Sequence, residues 1–204
     1  MKYIFPLLLF ACVTPTAFAA DLTILAGYQT NPDFKISAVG PAEDGDNFDD
    51  LALDDGPSLS IAWDFVFKRN PDQRIGFYLS HQQTDFDTAD LGSDTGMKIT
   101  HVHFTGTSYY PNGKMEPFVS AGVGVGIFAP EDSDLSSETK FSAQIAAGTN
   151  YKFTENLLLR FDIRWLPTFF NGSSAIFCNG GCVIRAESDT YSQIQANIGL
   201  MFRY

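Results

Sequence analysis

Apolar and polar residues alternate along most of this chain, and the alternation is cleanest at its end. Ile194, Ala196, Ile198, Leu200, Phe202 and Tyr204 share one phase, while Gln193, Gln195, Asn197, Gly199, Met201 and Arg203 share the other. Side chains of a strand point alternately to its two faces, so this stretch predicts one long strand with an oily side and a polar side. Earlier segments repeat the period: 22–29, 58–67, 74–82, 98–110, 118–128, 140–153 and 157–169. In 58–67 the oily phase is Leu59, Ile61, Trp63, Phe65 and Phe67; in 118–128 it is Val119, Ala121, Val123, Val125 and Ile127, set against Ser120, Gly122, Gly124 and Gly126. The weakest is 98–110, where Gly106 and Ser108 interrupt Val102, Phe104 and Tyr110. Segments of about ten residues with period two are expected of strands that cross a membrane.

The connections alternate in length. Those at 68–72, 111–114 and 154–156 are short and rich in Pro, Asn, Gly and Asp, whereas those at 30–57, 83–97, 129–139 and 170–188 are long and acidic. An up-and-down barrel places the two sets at opposite ends, with short periplasmic turns and longer extracellular loops. The expected fold is therefore all-β: an eight-stranded antiparallel up-and-down transmembrane β-barrel. A soluble lipocalin-type barrel would show the same period with the oily face inside. Three features favour the membrane: small residues on the polar face of 118–128, aromatics near strand ends (Tyr28, Trp63, Phe67, Tyr110, Tyr151, Phe153, Trp165), and the terminal aromatic Tyr204.

Met1-Lys2 is a short basic start, residues 3–13 are apolar, and Ala17-Phe18-Ala19 supplies small residues for signal peptidase. The domain reading is a cleaved signal peptide over 1–19 and a barrel over 20–204. At the other end, Gly199, Phe202 and Tyr204 form a Gly-x-x-Phe-x-Tyr ending that resembles the C-terminal assembly signal of bacterial outer-membrane barrels.

The segments Glu116-Pro117-Phe118-Val119-Ser120-Ala121-Gly122-Val123-Gly124-Val125 and Asn150-Tyr151-Lys152-Phe153-Thr154-Glu155-Asn156-Leu157-Leu158-Leu159-Arg160-Phe161-Asp162, with the terminal strand, carry a wider resemblance. The chain is similar to the small outer-membrane β-barrel superfamily that includes the OmpA transmembrane domain, OmpX, OmpW and the opacity proteins. The resemblance implies a multi-pass protein of a Gram-negative outer membrane, with lipid, lipopolysaccharide and the barrel-assembly machinery as partners. It says little about activity.

The formal net charge is −11, and loss of Lys2 with the leader makes the rest one unit more negative. Nucleic acid is thereby disfavoured as a partner, since it rewards clustered Lys and Arg. On the polar faces, Asp64, Glu116 and Asp162 accompany Arg74, Lys98, Lys140, Lys152, Arg160, Arg164 and Arg203. The bulk of these predict a charge network filling the lumen (Asp64, Arg74, Glu116, Arg160, Asp162, Arg164, Arg203), because eight strands leave little room for water. The rival reading is a narrow pore. His101 and His103 share one phase, while His81 follows Leu79 on the other, which disfavours a three-histidine metal site. Cys178 and Cys182 flank Asn-Gly-Gly in the last long loop and are expected to pair as a disulfide in an oxidising compartment. Glu43-Asp44-Gly45-Asp46-Asn47-Phe48-Asp49-Asp50, with Asp54 and Asp55, is a candidate collector of divalent cations, without the spacing of an EF-hand loop.

Ser80-His81 and the loop acids supply residue types for hydrolysis without a recognisable motif, so no enzyme activity, cofactor or metal is expected. The expected role is structural or surface-interacting, with acidic loops displayed outside the cell. The alternatives are a narrow porin or OmpW-like channel, and, less favoured, a lipid-modifying barrel enzyme. Deleting Phe202-Arg203-Tyr204 is expected to block membrane assembly; outer-membrane fractionation showing normal levels of the truncated chain would remove the terminal-signal argument.

Overall fold

The computed structural model describes residues 19–32, 36–39, 52–67, 69–87, 96–130, 137–170, 175–176, 183–186 and 190–204. Leader residues 1–18, the acidic run Glu43–Asp50, and Cys178 and Cys182 lie outside the described residues. Eight long strands form the wall: β1 Ala20–Thr30, β2 Gly56–Phe67, β3 Asn70–Asp87, β4 Gly96–Tyr109, β5 Met115–Pro130, β6 Glu138–Lys152, β7 Leu157–Phe169 and β8 Thr190–Arg203. Each pairs antiparallel with its sequence neighbours. The β1–β8 pairing, from Asp21↔Arg203 to Thr30↔Ile194, closes the ring. Beside this seam Ala20 N donates to Tyr204 O (3.0 Å) and Tyr204 N to Ala20 O (3.1 Å).

The turns are as tight as their residues suggest. Between β4 and β5 the chain reverses at Asn112, whose N donates to Met115 O at 2.7 Å, and Gly113 takes a φ of 63°, a conformation that costs a glycine little. Strand β3 runs beyond the expected 74–82 at both ends. Its upper extension passes through Gln83, Thr84 and Asp85, where the ladder continues after the oily pattern has stopped. Of the long connections, Ile36–Val39, Ala175–Ile176 and Val183–Ala186 form a small antiparallel sheet that ties the first loop to the last.

The period-two pattern sorts the side chains. Ile24, Leu59, Ile61, Phe77, Phe104, Val119, Ile145, Ile163, Ile198 and Phe202 face outward and are exposed, while Asp21, Thr23, Ser60, Gln144, Asn150 and Gln195 are buried in the lumen. This is the inverse of a water-soluble barrel and places lipid against the outer wall. Within the lumen, Leu25, Ala62 and Tyr78 form one apolar cluster and Tyr109, Phe118, Leu158 and Met201 another. Aromatic side chains thus share the interior with the polar ones.

Glycine on the lumen face of β5 allows close packing with β4. A Cβ on Gly124 would overlap the Val102 carbonyl oxygen and lie 2.7 Å from His103 Cα, whereas a Cβ on the outward Gly106 would meet nothing within 4 Å. Gly124→Val is therefore expected to cost about 1–3 kcal/mol and Gly106→Val at most about 0.5 kcal/mol. Urea unfolding of the two variants in detergent micelles checks the contrast.

Candidate functional site

The lower lumen holds a continuous set of ion pairs. Asp21 receives Arg74 Nε at 3.2 Å and Arg203 Nε at 3.1 Å. Arg203 also donates to both Glu116 oxygens (3.1 and 2.9 Å), and Lys152 Nζ reaches Glu116 at 2.8 Å. Higher up, Asp162 accepts from Arg160 (3.1 Å), Arg164 (3.4 Å) and Asn197 (2.7 Å), and Asp64 lies 3.9 Å from Arg160. The cations also lie over aromatic rings: Arg160 is 4.0 Å above Phe118, and Arg164 is 3.7 Å above Tyr78. Each buried charge thus has an opposite charge or π-face beside it, the condition for tolerating it away from water.

Asp21 joins this network although the sequence reading began the first strand at Leu22. Its signal was its phase, shared with Thr23 and opposite to Leu22 and Ile24. Lys98 needs the reverse correction. Placed with the polar lumen residues from sequence, it instead has the outward phase of Val102 and Phe104, because Met97, Ile99, His101 and His103 are the buried set on β4.

Lys98 belongs to a change of pattern near the upper rim. There the lumen turns apolar: Phe128, Phe170 and Tyr191 gather with ring centroids 5.5–6.5 Å apart, and Met97, Ile99 and Leu166 are fully buried. The outer wall meanwhile turns polar on the β3–β4 ribbon. Its outward ladder reads Ile75, Phe77 and Leu79, then His81, Gln83 and Asp85 on β3, facing Phe104 and Val102, then Thr100 and Lys98 on β4. His81, Asp85 and Lys98 are the acid, base and imidazole groups that this part of the ribbon turns outward.

His81 and Thr100 pair directly across the ribbon, with His81 Nδ1 2.9 Å from Thr100 Oγ1. Leu79 and Val102 pair one row below, the last oily row, and Gln83 and Lys98 pair one row above. The His81–Thr100 pair is therefore the first polar row of this ribbon, while Leu59 beside His81 and Ile127 beside Thr100 keep the neighbouring strands apolar in the same row. Ser80, the serine beside His81 in sequence, is buried on the lumen face, opposite His101. In the lumen a different serine meets a histidine: His103 Nε2 is 3.1 Å from Ser142 Oγ, and both side chains are buried. His101 stands beside His103 with ring centroids 5.6 Å apart.

A family model described as "Lipid A 3-O-deacylase (PagL)" matches residues 56–164, more than half of the chain. No curated protein sequence matches. Among solved structures, Neisserial surface protein A aligns with a TM-score of 0.59 at 12% identity, covering 91% of this chain and 97% of that one. The outer membrane protein OprG from Pseudomonas aeruginosa aligns with a TM-score of 0.60 at 16% identity, covering 92% and 97%. AlkL in lipid bilayers aligns with a TM-score of 0.50 at 13% identity, covering 100% and 97%. At these identities the structures establish the fold alone, a small antiparallel β-barrel; with the family match and the lipid-facing wall, the chain is an integral protein of a Gram-negative outer membrane. The family match overturns the expectation that the chain is not an enzyme. That expectation rested on finding no local motif, but a β-wall builds sites from strand neighbours distant in sequence, as His81 and Thr100 are.

Replacing Asp162 tests the lumen. Asp162→Ala leaves Arg160 and Arg164 without their shared carboxylate, and a loss of about 3–5 kcal/mol is expected, read as a lowered urea midpoint in lipid vesicles.

Proposed function

The chain belongs to the PagL family of lipid A 3-O-deacylases, and we propose on that basis that it hydrolyses an ester-linked acyl chain of an outer-leaflet glycolipid at the His81–Thr100 pair. The observation that carries this reading is the depth of the pair. The acyl esters of a membrane lipid lie where hydrocarbon gives way to headgroup, and His81–Thr100 is the first polar row above Leu79–Val102 on the β3–β4 ribbon, flanked by the apolar Leu59 and Ile127. The lumen is filled with side chains, so a two-dimensional substrate reaches the protein from the side. On the outer wall the β3–β4 ribbon offers an imidazole at ester depth.

The chemistry follows from the one hydrogen bond the imidazole makes. With Nδ1 held by Thr100 Oγ1 at 2.9 Å, the ring is oriented and Nε2 is left as the base. Nε2 takes a proton from water, and the resulting hydroxide adds to the ester carbonyl. Collapse of the tetrahedral intermediate breaks the acyl–oxygen bond. The imidazolium returns its proton to the departing sugar oxygen, leaving an alcohol and a fatty acid. Lys98, one row higher, places a cation at the level of the lipid phosphates. Lipopolysaccharide, expected from the resemblance as a partner, becomes in this reading the substrate of the wall.

The Ser142–His103 contact supports a second reading, with a serine nucleophile inside the barrel. Its burial weighs against it, since an acyl chain would have to displace the lumen packing. Mass spectrometry of lipid A from cells expressing the protein separates the two. His81→Ala is expected to lower deacylation by about 10²–10⁴-fold while keeping the heat-modifiable gel mobility of a folded barrel, and Ser142→Ala is expected to retain activity. Loss of activity in Ser142→Ala alone would move the site into the lumen. A folded wild-type barrel that removes no acyl chain would overturn the hydrolase reading altogether.

A further inference from the structure

The row that carries His81 and Thr100 does not stop at the β3–β4 ribbon. Cross-strand pairing takes it from His81 to Leu59, Ala26, Ile198 and Phe161, on β2, β1, β8 and β7. Through Thr149 on β6 it reaches Pro117, near the foot of β5. At the other end Thr100 pairs with Ile127, near the top of the same strand. One circuit of the barrel therefore lowers the row from Ile127 to Pro117. From His81 the row descends along the lipid-facing wall.

A groove of about 830 Å³ follows this descent across β1, β8, β7 and β6. Its lower edge is the row itself, at Ile198 and Phe161, and its upper edge is the next outward row, at Tyr28 and Ile163. Two of the outward side chains between these edges are small, Ala26 on β1 and Ala196 on β8. Strands of such barrels tilt by about 35–45°, so a row running across them falls at that angle from the membrane plane. The five strand spacings from β3 to β6 span about 24 Å. Over that distance the fall is roughly 14–17 Å, which matches one leaflet of a hydrocarbon core about 30 Å thick.

We infer that this groove seats the acyl chain whose ester lies at His81–Thr100, an inference that rests on the hydrolase reading above. Continuity and slope identify the occupant. The groove lies on the row of the reacting pair, and it sinks at the rate a chain must sink to leave the headgroups. Ala26 is two strand spacings from His81, about 10 Å or roughly eight carbons of extended chain. Those carbons cross β2 between Leu59 and Pro57, which pair with Ala26 and Tyr28, and the carbons beyond them enter the groove. A shorter chain never reaches Ala26 and Ala196. The groove therefore selects long acyl chains over short ones.

The full chain, folded in detergent micelles, is given hexanoyl and tetradecanoyl esters of glucosamine phosphate, and the released acids are measured by mass spectrometry. The ratio of tetradecanoyl to hexanoyl turnover is expected to fall about tenfold or more in Ala26→Trp and in Ala196→Trp. It is expected to hold in Val123→Trp, which adds the same bulk to the outer wall of β5. Folded Ala26 and Ala196 variants that keep the wild-type ratio would overturn the groove and leave the hydrolase reading standing. Hydrolysis of neither ester by the folded wild-type chain would overturn both. Should the variants lose folded gel mobility, nuclear Overhauser contacts of the wild-type chain decide, with the tetradecanoyl amide as probe in deuterated detergent. Contacts from its methylenes to the Ala26 and Ala196 methyls are expected. Contacts no stronger there than at Val123, or contacts from a second copy of the chain in their place, would overturn the inference.

Discussion

A backbone in hydrocarbon has no water to bond, so every N–H and C=O in the membrane must find a partner within the protein. The rest of this structure depends on that requirement. A sheet meets it only by leaving no edge, and the register from Asp21↔Arg203 to Thr30↔Ile194 supplies the closing ladder. Closure at eight strands then sets the diameter, and the diameter sets what the lumen can be. Close approach of strands at Gly124, where a side chain would collide with the Val102 carbonyl, belongs to the same constraint.

A narrow lumen isolated from water cannot hold lone charges. Its carboxylates and guanidiniums therefore occur as a connected set, with Asp21, Glu116 and Asp162 each shared by two cations. Such networks are costly to desolvate and more costly to break, so they favour one arrangement over its alternatives more than they add net stability. Toward the upper rim the charges give way to packed rings, and at the same height the outer wall of one ribbon loses its oily surface.

With the interior filled, a lipid meets this protein at its wall. A wall residue sees the membrane at one depth, and that depth selects the part of the lipid it meets. His81 and Thr100 form the first polar row of the β3–β4 ribbon, one row above Leu79 and Val102, which is why the proposed reaction is set there. His101, the residue next to Thr100, and His103 face the opposite environment, shielded from lipid and bulk water. One strand thus presents histidine and threonine chemistry to two unlike media.

Much of this protein was legible from its residues alone. A period of two can be read without coordinates because it reflects only the geometry of a strand and the polarity of its two sides, so the strands, the order of short and long connections and the all-β barrel follow from it. Period also divided His81 from His101 and His103, and Ser80 from its neighbour. What the alternation could not convey is which strands stand side by side at which height. Pairing is a property of closure, and closure brought Asp21 to Arg203 and Arg74, Thr100 to His81, and Ser142 to His103. Lys98 shows the limit most directly: polarity assigned it to the lumen, but phase and the height of the membrane edge put it outside. Sequence decided which residues alternate; only the closed, membrane-spanning ring decided which of them meet, because contacts across a sheet depend on register and depth rather than on distance along the chain.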